Sequence, residues 1–164
     1  MVFGGESEHT LDPKNRFCVP KRFQDELERG ESGHLTCVLT RGFDGCLFLF
    51  SESGFQQVLA RLQTQPFVGR EQWKMQRLFF SNTYRAQLDS SGRLLLPEKL
   101  KKIAGLDREV VLVGVADRAE IWSKAAWQSF EDESSADFDD LDSVLCGGDA
   151  AGSFDTNGTG ATSS

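Results

Sequence analysis

An aspartate stands four residues ahead of an arginine at two places in this sequence, Asp12 with Arg16 in LDPKNRFCVP and Asp89 with Arg93 in LDSSGRLLLP. The frame is shared: a leucine before each aspartate, an apolar stretch after each arginine, then Pro20 or Pro97. A carboxylate and a guanidinium at this spacing can pin a tight turn through an internal ion pair. They can also hold outward a planar, permanently charged fork that suits phosphate oxygens or the O6 and N7 acceptors of guanine in the major groove. The two roles are compatible. The residues between them, Pro13, Lys14 and Asn15 in one copy and Ser90, Ser91 and Gly92 in the other, are turn formers. Proline presets φ, asparagine and glycine tolerate positive φ, and aspartate or serine bonds nearby amides.

The elements around the two turns repeat as well. A shift of 77 aligns Leu11, Asp12, Arg16 and Pro20 with Leu88, Asp89, Arg93 and Pro97, and a shift of 72 aligns Val38, Gly42, Leu49, Ser51 and Phe55 with Val110, Gly114, Ile121, Ser123 and Trp127. Two copies of one unit therefore occupy residues 6–55 and 83–127. Each unit reads as a strand, the turn, a second short strand, and a short helix begun at the proline and ended near Gly30 or Gly105. A closing strand pair follows, TCVLT with CLFLF in the first unit and VVLVGV with EIW in the second. Residues 56–82 connect the units as helix, with Phe55, Val58, Leu59 and Leu62 on one face, a break at Pro66, and Trp73, Arg77 and Phe80 on another face. Residues 123–133 form a last helix with Trp127 and Phe130 inward, so that 128–164 comprise a helix end and an acidic tail, Gly/Ser/Thr-rich and disordered from about 147.

Charge is unevenly placed. All 18 basic residues lie in residues 1–127 against 16 acidic ones, while residues 131–164 hold nine acids and no base, so the net −7 describes the tail and the body is slightly basic. No apolar run is long enough to span a membrane, and the N-terminus lacks the order of a secretory signal, which places the protein in the cytoplasm. Cys18, Cys37, Cys46 and Cys146 have no metal-ligand spacing; the first three, in apolar segments, read as small buried thiols, and no metal or cofactor is assigned. His9 and His34 are the only histidines. With no P-loop, GxSxG or HExxH pattern, the residues do not point to an enzyme.

The chain resembles the MraZ family, through both Asp-x-x-x-Arg motifs, VPKRF after the first, QRLFF before the second, and the AGL…EVVLVG…EIW run. The resemblance covers roughly residues 1–130. It implies an α+β fold in which hairpins of two AbrB-like repeats interleave into one pseudo-symmetric swapped-hairpin barrel, with subunits assembled into a homo-oligomeric ring. It also implies a nucleoid-associated transcriptional regulator, usually a repressor, of the cell-division and cell-wall gene cluster, binding double-stranded DNA at G-rich direct repeats. Carried onto this sequence, Lys14, Asn15, Arg16 and Arg93 would contact DNA, Asp12, Asp89 and Gly92 would orient the turns, and Lys21 and Arg22 would add phosphate contacts. Two departures from the family pattern are Asn15, where glycine is usual, and the absence of a basic residue near Gly4. Phe138, Leu141, Val144 and Leu145 have helical spacing within the acidic stretch, which keeps open an antitoxin-like or adaptor role with a protein partner bound through the tail.

Overall fold

The protein is described here by a computed structural model covering residues 2–64 and 69–146. Each turn joins two strands. β1 (Glu6–Thr10) leads into the first turn, and β2 (Arg16–Cys18) and the single-turn helix α1 (Lys21–Gln24) follow it. The helix is shorter than the Pro20-to-Gly30 interval: after α1 the chain turns into β3 (Glu28–Arg29), and the Gly30 amide donates to the His34 carbonyl, closing a hairpin onto β4 (Leu35–Arg41). β5 (Leu47–Phe50) completes the first unit. The connecting helices are α2 (Glu52–Thr64) and α3 (Arg70–Phe80); the break expected at Pro66 lies outside the described residues. The second unit repeats the order with β6 (Tyr84–Gln87), β7 (Arg93–Leu95), α4 (Glu98–Ile103), β8 (Glu109–Val115) and β9 (Arg118–Ser123), and α5 (Lys124–Ser134) follows.

Strand pairing crosses between the units. β1 pairs antiparallel with β8, from Glu6↔Val113 to Thr10↔Glu109, and β6 pairs antiparallel with β4, from Thr36↔Gln87 to Leu39↔Tyr84. The leading strand of each unit thus lies against the hairpin of the other. β5 and β9 join the two hairpins, giving a seven-stranded antiparallel sheet in the order β1-β8-β9-β5-β4-β3 with β6 also on β4. β2 and β7 pair only with each other. The fold is α+β with antiparallel sheets, and among the described residues neither sheet closes on itself.

Two-residue periodicity assigns the faces of the large sheet. Leu47 and Leu49 of β5, with Leu39, Leu112 and Ile121, meet Phe17, Phe23, Leu94, Leu96 and Leu100 from the ribbon and short helices. Phe48 and Phe50 point the other way, joining Val38, Cys46, Trp122 and Phe55, with Val58, Leu59, Phe79 and Trp127 packed alongside. The expected face of α2 is therefore the packed one. In α3 the inward residue is Phe79, whose ring stacks 6.4 Å from that of Phe55, whereas Trp73 and Phe80 remain exposed. The face shared by Trp73, Arg77 and Phe80 is thus the exposed one.

The described residues divide into two units, one up to Ser129 and one from Phe130. In the first, Trp127 packs edge-on to Trp122 with ring centroids 5.4 Å apart. In the second, Phe130 is exposed, a correction to the expectation that it faces inward. A 3-10 helix over Ser135–Leu141 and α6 (Asp142–Leu145) follow; Phe138, Leu141, Val144 and Leu145 are all more than half exposed. The expected disordered end from 147 lies outside the described residues, among which no helix is long and apolar enough to cross a membrane.

Candidate nucleic-acid interface

Both turns are built by the same bonds. In the first, Asp12 Oδ1 accepts from the amides of Lys14 and Arg16, each at 2.9 Å, and Oδ2 accepts from Arg16 Nε at 2.8 Å. In the second, Asp89 Oδ1 accepts from the amides of Ser91 and Arg93, each at 2.9 Å, and Oδ2 from Arg93 Nε at 2.8 Å. Backbone bonds close each loop: Asp12 to Arg16 and Asn15 to Asp12, mirrored by Asp89 to Arg93 and Gly92 to Asp89. Burial alone would raise the Asp12 carboxyl, but the bonds from Arg16 and Lys14 and the Arg16 charge hold it below the usual carboxylate range. The backbone bond from Arg93 leads the same effect at Asp89, against burial, with help from its side chain and the Ser91 amide. Both aspartates are thus ionised at neutral pH.

The clamp engages Nε alone. Among the described residues neither guanidinium has a protein acceptor for its terminal nitrogens, and the side chains of Arg16 and Arg93 are 27% and 35% exposed. The internal ion pair is formed in both turns and leaves the terminal nitrogens of both guanidiniums without a protein acceptor among the described residues.

The ribbon sets where the forks emerge. In its register Arg16 lies opposite Leu95, Phe17 opposite Leu94, and Cys18 opposite Arg93. Phe17 and Leu94 are buried, so Arg16, Cys18, Arg93 and Leu95 share the outer face. Arg16 and Arg93 are diagonal neighbours there, with backbones roughly 7–8 Å apart by strand geometry, and each bends back to its own aspartate. Cys18 is exposed, a correction to the expectation of a buried thiol: alternation turns its neighbours Phe17 and Val19 inward and Cys18 out. Cys37 and Cys46 are buried, which pushes their thiols up to about 12.

Each turn is tied to the opposite unit. The Leu96 amide donates to the Asn15 carbonyl and the Val19 amide to the Gly92 carbonyl, both at 2.9 Å. Asn15 and Gly92 take positive φ, 61° and 77°. The Asn15 side chain donates through Nδ2 to Glu98 Oε2 and accepts from Lys101 Nζ, both at 2.9 Å. At the matching place a Cβ on Gly92 would lie 2.4 Å from Gln24 Nε2, which itself donates to the Val19 carbonyl. The glycine leaves room for a glutamine; the asparagine completes a polar bridge. Nothing in the sequence signalled this second layer, because its partners are distant in sequence, those of the Asn15 side chain by 83 and 86 residues.

The remaining basic candidates are placed differently. Lys14 is exposed at the turn tip and has no ion pair among the described residues. Lys21 is exposed but bridges to Asp25. Arg22 Nη2 donates to the Glu6 carbonyl at 2.9 Å and the guanidinium lies 5.1 Å from the Phe23 ring centroid, tying α1 to β1. No set of three or more His, Cys, Asp or Glu side chains among the described residues could hold a metal.

A family profile described as MraZ protein matches residues 2–78 and again 79–146. Among curated proteins, the chain is 39% identical over 140 residues to the transcriptional regulator MraZ of Lactobacillus helveticus, covering 85% of this chain and 94% of that protein. It has the same identity and coverage with the transcriptional regulator MraZ of Moorella thermoacetica.

Proposed function

The chain belongs to the MraZ family, and on that premise we propose that it is a sequence-specific, DNA-binding transcriptional regulator that reads guanine-rich direct repeats with its two Asp-x-x-x-Arg turns. The observation that carries this reading is the pair of aspartate-clamped guanidiniums on the outer face of one two-stranded ribbon, with their terminal nitrogens open. A two-stranded ribbon is one of the shapes the major groove admits, and an arginine fork held from behind loses little freedom when it meets guanine. Asp12 and Asp89 orient, Arg16 and Arg93 read base edges, and Lys14 contacts phosphate. Lys21 joins Lys14 only by exchanging Asp25 for a phosphate. Asn15 supports the turn from within, and Arg22 acts by fixing β1.

One bidentate arginine–guanine contact discriminates by about 1–3 kcal/mol, too little to find an operator alone. A homo-oligomeric ring offering several ribbons to evenly spaced repeats multiplies such contacts through effective concentration. The exchange of leading strands between the units is what a swapped-hairpin barrel of AbrB type requires, and we extend the reading to that architecture. The protein acts as a repressor of the cell-division and cell-wall gene cluster, in the cytoplasm on the nucleoid, and is not an enzyme.

The test is to size the protein alone and with duplexes carrying one, two or three G-rich repeats, alongside an Arg16→Ala titration. Affinity should rise steeply with repeat number and fall at least tenfold in the variant at unchanged oligomer mass; equal affinity of variant and parent rejects the assignment. A second reading, an antitoxin-like or adaptor protein, is favoured by the exposed Phe138, Leu141, Val144 and Leu145 in an acidic segment. Deleting 131–164 abolishes partner binding under that reading and leaves DNA binding intact under ours.

A further inference from the structure

We propose that Leu95 is a specificity-determining residue that packs on the C5-methyl group of a thymine beside the guanine read by Arg16. The inference rests on the DNA-binding reading and deepens it. Leu95 sits between Leu94, fully buried, and Leu96, 2% exposed, yet is itself 55% exposed. Isolated surface leucines are ordinary. This one is directly opposite Arg16 in the strand register and shares the outer ribbon face with both guanidiniums. A side chain so placed faces the same groove as the neighbouring arginine. It has no hydrogen-bonding atoms, so it can distinguish bases only through apolar contact, and in the major groove the apolar group is the thymine methyl. A contact of this kind also removes the leucine from water, which Arg16 alone would not do.

The two halves of the ribbon are not equivalent in this respect. The residue opposite Arg93 is Cys18, smaller and with a weaker apolar reach. The guanine read by Arg16 should therefore carry a methyl-dependent neighbour, and the guanine read by Arg93 should not.

The experiment uses the full chain and duplexes of three guanine triplets spaced by about one helical turn, roughly 10 base pairs. Each triplet is flanked by thymines, which are replaced by deoxyuridine one position at a time. Loss of one methyl contact should weaken binding about fourfold, the worth of one buried methylene-sized group. The penalty should appear at one flank only. Leu95→Ala should bind the thymine duplex about fourfold more weakly than the parent and show no further loss with deoxyuridine. Cys18→Leu should create a second sensitive flank; being exposed, both positions can be substituted without disturbing the core, which a thermal midpoint will verify. A deoxyuridine penalty that survives in Leu95→Ala, or no penalty at any flank, overturns the proposal while Arg16-dependent binding still stands. If the parent binds these duplexes no better than random DNA, both this assignment and the DNA reading fail.

Discussion

Lys101 Nζ donates to Asn15 Oδ1 at 2.9 Å across 86 residues of sequence, so the first turn is braced by the helix that follows the second. With the Glu98 contact and the Leu96 amide, this makes each turn's shape a property of both repeats together.

Asparagine at position 15 has a backbone reason and a side-chain reason that can be separated. Asn15→Gly should keep the positive φ and cost little stability, with affinity for a G-rich duplex within about twofold, because the amide faces Glu98 and Lys101 rather than outward. Asn15→Ala strains the same backbone and should destabilise by about 1–2 kcal/mol, seen as a lower urea midpoint. A large affinity loss in the stable Asn15→Gly protein would assign the amide to DNA instead.

A side chain at Gly92 should cost stability. A Cβ there would meet Gln24 Nε2, and the φ of 77° penalises an alanine. Gly92→Ala should lower stability by about 1 kcal/mol or more. Adding Gln24→Ala should return part of this loss, the part due to the clash, which equilibrium unfolding of the single and double variants will measure.

The clamp and the charge it orients can be told apart by salt. Asp12→Ala leaves Arg16 cationic but unheld, so specific affinity should drop while the dependence of log affinity on log salt stays near that of the parent. Lys14→Ala should instead reduce that slope by about one unit and weaken all sequences alike. Titrations at several salt concentrations distinguish the two.

His9 makes acid destabilising. Burial and the charge of Arg22 lower its pKa, so the folded state favours the neutral ring. Its contribution is complete above the unfolded value of about 6.5 and is lost as pH falls from there through the lower folded value. The thermal midpoint should therefore fall between pH 7.5 and pH 5.5, and fall less in His9→Gln. The clamped aspartates do not enter this window: their depressed pKa values stabilise the turns above the ordinary carboxylate range, and that stabilisation is lost only in stronger acid.

Much of the site was legible because its bonds are local. Asp12 and Arg16 lie within one turn, so residue types and spacing were enough to anticipate the clamp, and the same holds for Asp89 and Arg93. The alternation of Phe17 and Val19 around Cys18 carried the outer face too, but judging Cys18 by its apolar neighbours rather than by period two misplaced it. In α3, Phe79 and Phe80 are adjacent and equally apolar, so only the position of Phe55 decides which turns inward. The ties from Asn15 to Glu98 and from Gly92 to Val19 depend on cross-unit packing, for which no local pattern exists.

The crossed pairing of β1 with β8 and of β6 with β4 has a kinetic side. A nascent polypeptide ending before Glu109 leaves β1 without its neighbour, and one ending before Tyr84 leaves an edge of β4 bare. Such distant pairings are slow to form and exposed while they wait. During synthesis the N-terminal half must therefore remain immature until almost the whole body has left the ribosome, and the molecule matures as a unit rather than half by half.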